Sequence, residues 1–64
     1  MAWYLRVVEL SDGAWACRHG REQFDTHNRL EDAVTHLRAL AAERQPAELV
    51  LHWMDGSVEH IAAE

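Results

Sequence analysis

The sequence predicts an α+β fold: a two-layer sandwich, β-hairpin–helix–β-hairpin, with one helix on one antiparallel sheet. Three observations carry this. Two Asp-Gly dipeptides, Asp12-Gly13 and Asp55-Gly56, each sit between apolar runs, which is a short-range hairpin signal. Between them, from Leu30 to Ala41, the apolar residues recur at spacings of three and four, which is the period of a helix. Pro46 then separates that stripe from the second alternating run.

Strand one is predicted from Trp3 to Leu10, rich in aromatic and β-branched side chains. Strand two follows from Ala14 to His19. If Asp12-Gly13 is a two-residue turn, Leu10 faces Trp15 and Val8 faces Cys17. Tyr4, Val8, Leu10, Trp15 and Cys17 then share the core face. If Ser11-Asp12-Gly13 is a three-residue loop with a Gly bulge, the pairing shifts by one and the faces of strand one invert. The first register is preferred, because it gathers Val8 and Leu10 with Trp15 and Cys17. Glu22 to Asp25 could add a short third strand with Phe24 inward.

The helix is predicted to begin at Asn28, where Asn28 and Glu31 fit a capping-box variant. Glu31 and Asp32 suit the positive end of the helix dipole. Leu30, Ala33, Val34, Leu37, Leu40 and Ala41 form the apolar stripe, and Pro46 ends the helix near Arg44 or Gln45. The last hairpin spans Glu48 to Ile61. With Asp55-Gly56 as a two-residue turn, Trp53 faces Val58 and His52 faces Glu59. Leu49, Leu51, Trp53 and Val58 then point to the core. Val50, His52, Met54, Glu59 and Ile61 point away, unless a bulge turns Ile61.

The 64 residues make one domain, 1–64. A chain of this size buries only about 60% of its unfolded surface and is marginal without help. One cysteine excludes an internal disulfide, so oligomerisation, as a homodimer, is the expected source of further stability. Six arginines, no lysine and a net charge of −5 argue against nucleic acid as the main partner. No apolar run approaches the ~20 residues that span a bilayer, and no leader pattern precedes strand one. No membrane partner and a cytoplasmic location are therefore expected.

Gly13-Ala14-Trp15-Ala16-Cys17, Phe24-Asp25-Thr26, Glu31-Asp32-Ala33, Glu48-Leu49-Val50-Leu51-His52 and Asp55-Gly56-Ser57-Val58 follow one another in a familiar order. The pattern resembles a bacterial domain-of-unknown-function family, number 2188, over about Val8 to Glu59. Its members read roughly G-W-x-V, F-x-T, E-A, E-L-V-I-H and D-G-x-I. Cys17 stands where the family carries Val, and the family's lysines are missing. The resemblance implies the ββ-α-ββ order and no activity. His52 matches the family's His, with no role attached.

The chemistry-bearing residues point away from catalysis. Cys17 alternates with Trp15 toward the core, where a thiol is an inert small hydrophobe. The five histidines, His19, His27, His36, His52 and His60, show no zinc-site spacing, so no metal or cofactor is expected. His52 and Glu59 are read as a cross-strand pair. The carboxylates are scattered, glycine-rich phosphate loops are absent, and no enzyme activity is expected. What remains is surface. In the preferred register Trp3, Leu5, Val7, Val50, Met54 and Ile61 point away from the helix, an apolar area of the kind that marks interfaces. Trp3, Leu5, Val7, Val50 and Met54 are the candidate contacts of a self-associating domain. The alternative is a weak nucleic-acid module using Arg18, Arg21 and Arg29.

Overall fold

A computed structural model describes residues 2–62. The elements are β1 (Trp3–Glu9), β2 (Trp15–His19), β3 (Glu22–His27), α1 (Leu30–Ala42), β4 (Ala47–His52) and β5 (Val58–Ile61). They form one five-stranded sheet in the order β3-β2-β1-β4-β5, with α1 packed on β1, β2, β3 and β4.

The sheet is mixed, not antiparallel as expected: β1 runs parallel to β4, and every other neighbouring pair is antiparallel. The third strand decides this. It is a full six residues. Each reversal flips the chain's direction, so β3 runs the same way as β1. The helix then returns the chain to the end of the sheet where β1 began, and β4 lies parallel beside it. At that end the Trp3 amide donates to the Pro46 carbonyl at 2.8 Å. The order is thus a three-stranded meander, a helix and a hairpin. β1 has a neighbour on both sides, which suits its nearly continuous apolar run.

Both Asp-Gly hairpin loops are three residues long, and both registers differ by one from those expected. Leu10 pairs with Ala14 across Ser11-Asp12-Gly13: its amide donates to the Ala14 carbonyl at 2.9 Å, and the Gly13 amide donates back to Leu10 at 3.1 Å. Trp53 pairs with Ser57 across Met54-Asp55-Gly56 in the same way, at 3.0 Å and 3.0 Å. Gly13 and Gly56 hold φ of 87° and 92°. This is the three-residue loop that closes on a glycine at positive φ. In each loop the aspartate accepts from the residue after glycine: Asp12 from the Ala14 amide at 3.0 Å, Asp55 from the Ser57 amide at 2.8 Å.

A one-residue slip exchanges the two faces of a strand. Leu5 pairs with His19 and Val7 with Cys17, so Leu5 and Val7 lie beneath the helix, fully buried. This corrects their expected place on the outer face, and it sends Val8 and Tyr4 outward. In β5, Ile61 turns to the core opposite Leu49, and Val58 faces out opposite His52. The expected His52–Glu59 pair does not form, because Glu59 lies opposite Leu51.

The core joins Leu5, Val7, Cys17, Leu49 and Leu51 of the sheet to Ala33, Leu37 and Ala41 of α1. Leu30, Val34 and Leu40 complete the predicted stripe at its margins. Burying each Leu or Val stabilises the fold by about 1.5–3 kcal/mol. Trp15 and Trp53 meet edge to face at 5.7 Å, beside a bond from the Met54 amide to the Glu9 carboxylate at 2.9 Å. The two hairpins are thereby tied at one end. The helix is capped by Arg29, not Asn28, with no side-chain capping bond; the Arg29 guanidinium pairs with Glu31 instead.

Candidate functional site

Two regions gather polar or reactive side chains: the sheet face opposite the helix, and a cluster between β2, β3 and α1. On the outer face the register sets Ala16, Val8, His52 and Val58 in one row across the strands, and Arg18, Arg6, Val50 and His60 in the next. Tyr4 and Glu48 follow side by side. Ala16 and Val50 are 0% and 1% exposed although no second layer covers this side. The register sets Arg6 and Arg18 beside them, and an arginine stem is long enough to lie over such apolar surface. The Arg6 guanidinium reaches the Gly20 carbonyl at 2.8 Å. Arg18 Nε and His52 Nε2 are buried without a hydrogen-bond partner among the described residues.

Of the five predicted contact residues, Val50 alone lies at the centre of this face. Leu5 and Val7 are in the core. Trp3 turns to the helix side, where its ring meets His19 at 4.7 Å and the Arg44 guanidinium at 5.6 Å. Met54 sits in the β4–β5 loop, 60% exposed. In their place Tyr4 and Val58 are exposed on the outer face, at 44% and 49%. Of the nucleic-acid candidates, Arg18 and Arg21 lie together, Arg18 donating to the Arg21 carbonyl at 3.5 Å. Arg29 caps the helix beyond the far end of β3, a six-residue strand or about 20 Å away. The three do not form one patch.

The second region was not visible as a motif. Cys17 lies opposite Asp25 in the β2–β3 ladder, and His27 is two residues further along the same side of β3. A bulge between Cys17 and Arg18 leaves Phe24 opposite no residue, so that it also reaches the core. His36 descends from α1, one turn after Ala33, whose carbonyl accepts the Cys17 thiol at 3.4 Å. The Asp25 carboxylate lies 2.7 Å from His36 Nδ1 and 3.2 Å from His27 Nε2, and the two ring nitrogens are 3.2 Å apart. One donor atom from each of Cys17, Asp25, His27 and His36 lies within 4.8 Å of all the others. Burial, with the Asp25 charge and hydrogen bond adding to it, pushes the Cys17 thiol up to about 12. Such a thiol is no nucleophile. The signal in the sequence is the run Asp25-Thr26-His27, which becomes two inward side chains once β3 continues past Asp25.

A groove of about 500 Å³ runs along the exposed side of α1, lined by Leu30, Glu31, Val34, Thr35 and Arg38. It is shallow and holds no converging set of acid and base. No helix among the described residues is long and apolar enough to cross a membrane.

The model of a family described as an uncharacterized protein conserved in bacteria (DUF2188) matches residues 5–62. The chain belongs to this family. The match runs from within β1 to the end of β5, so the helix and all of the sheet but Trp3 and Tyr4 lie within it. Neither a curated protein nor a solved structure matches the chain.

Proposed function

We propose that the chain is a small non-enzymatic interaction domain that pairs with a second copy of itself through the outer face of its sheet. The observation that carries this reading is a sheet face with no second layer, whose centre mixes apolar residues with arginine and histidine. Val8, Ala16 and Val50 lie there, with Tyr4 and Val58 exposed beside them. A second copy suits the face because its charges are self-complementary. Arg6 and Arg18 stand on β1 and β2, and Glu48 on β4, so a two-fold pairing can set unlike charges across from each other. A stable pair buries about 800 Å² per partner. That is roughly a fifth of the chain's 4252 Å², which one face of a two-layer sandwich can supply. The shallow α1 groove and the raised Cys17 pKa support the absence of catalysis.

Light scattering over a dilution series tests the pairing. The mass is expected to fall toward 7.4 kDa on dilution. The double variant Tyr4→Glu/Val58→Glu, which changes only exposed side chains, is expected to stay monomeric with an unchanged circular dichroism spectrum. A wild-type chain that remains monomeric at millimolar concentration overturns the proposal.

A further inference from the structure

We infer that Cys17, Asp25, His27 and His36 form a closed binding site for one zinc-like divalent cation, which ties β2 and β3 to α1. The donor set is one thiolate, one carboxylate and two imidazoles from three elements, a combination suited to tetrahedral Zn²⁺. Four protein donors leave no open coordination position, so the site is structural, not catalytic. The spacing fits. Bond lengths of about 2.0–2.3 Å place tetrahedral ligands about 3.3–3.8 Å from one another. His36 Nδ1 already lies 2.7 Å from one Asp25 oxygen, His27 Nε2 lies 3.2 Å from the other, and the two nitrogens are 3.2 Å apart. Cys17 Sγ, within 4.8 Å of each, has to close by at most about 1 Å to reach that separation.

The stronger argument is what these contacts do without a cation. Three close contacts form a triangle: His36 Nδ1 to Asp25, His27 Nε2 to Asp25, and His27 Nε2 to His36 Nδ1. An ionised carboxylate only accepts, so each nitrogen must carry a hydrogen to bond it. Two such nitrogens then oppose each other with hydrogens on both. If either gives its hydrogen to the other side of its ring, its contact with Asp25 sets lone pair against lone pair. Hydrogens therefore satisfy two sides of the triangle and never all three. A central cation satisfies all three donors at once. Zinc binding takes the thiol proton of Cys17, which leaves to solvent, and each imidazole carries its hydrogen on the outer nitrogen, His27 Nδ1 or His36 Nε2. One proton is released per metal bound. The cation also offsets the Asp25 charge that, with burial, disfavours the thiolate.

Untagged protein, stripped with chelator, is titrated with Co²⁺ as a spectroscopic probe and then with Zn²⁺. The expected result is one equivalent bound, a near-ultraviolet thiolate-to-Co²⁺ charge-transfer band, displacement by Zn²⁺ and a higher Tm. His36→Gln, a part-exposed helix position that leaves the core intact, is expected to weaken binding at least tenfold. Cys17→Ser removes the charge-transfer band, and His60→Gln on the outer face changes neither reading. If the Cys17 variant fails to fold, the His36→Gln affinity still decides. Absence of the thiolate band in the wild type, or equal affinity in the wild type and His36→Gln, overturns the site.

Discussion

Leu5 and Val8 are both apolar and both belong to β1, yet they have opposite fates. Leu5 is sealed between the sheet and α1, while Val8 lies on the outer face and is part exposed. Leu5→Ala leaves a cavity in the core and is expected to lower stability by about 2–5 kcal/mol in urea denaturation. Leu5→Glu buries an unpaired charge and is expected to unfold the chain, whereas Val8→Glu stays folded. The reverse ranking of the two glutamates would restore the register in which Leu5 faces outward. Cys17 yields a second prediction, for the metal-free chain. Its folded pKa of about 12 lies above the ordinary 9.0. The protonated thiol therefore contributes stability that is fully present below pH 9 and is lost as pH rises from 9.0 toward 12. Thiol labelling of the folded chain at pH 8 should be slow and should accelerate to the rate of a free cysteine on unfolding in urea.

At the scale of elements, the helix and the inward faces of β2 and β4 were legible, and the faces of β1 and β5 were not, for one reason. A 3.6-residue period identifies the buried side of α1 from spacing alone, and Leu30, Ala33, Val34, Leu37, Leu40 and Ala41 are the residues that pack. A two-residue period leaves the choice of face to the register, and the register depends on loop length. Asp-Gly suits both a two-residue turn and the last two places of a three-residue loop, so each hairpin was displaced by one. The loops themselves are testable. Gly13→Ala or Gly56→Ala forces a Cβ into the left-handed region and is expected to cost about 1–2 kcal/mol. Crowding is not the cause, because no atom lies within 4 Å of either new Cβ. Asp55 adds a pH term. The Ser57 hydroxyl and amide donate to its carboxylate at 2.6 Å and 2.8 Å and hold its pKa below 3.8. That contribution is present above pH 3.8 and is lost as pH falls through the folded value. Amide exchange at Ser57 should accelerate over that acid range, and Asp55→Asn should remove the step.

For the molecule as a whole, the presence of β3 fixes the topology, and its length completes the reactive cluster. Had the chain turned into the helix after β2, β4 would lie antiparallel to β1. The extra strand makes the pair parallel and carries Asp25 and His27 to positions beneath His36. A sequence reading that leaves the third strand optional leaves the parallel pair undecided, and one that stops it at Asp25 loses His27 from the cluster. The remaining question at this scale is how 64 residues without a disulfide stay folded. If the outer face pairs as proposed, association favours the folded state by mass action, and Tm must depend on protein concentration. Thermal melts over a hundredfold concentration range, run with chelator so that metal does not contribute, are expected to show Tm rising with concentration in the wild type. The Tyr4→Glu/Val58→Glu variant should melt at one temperature throughout. A concentration-independent wild-type Tm would mean that the helix-covered core is sufficient by itself, with Ala16 and Val50 already covered within one chain.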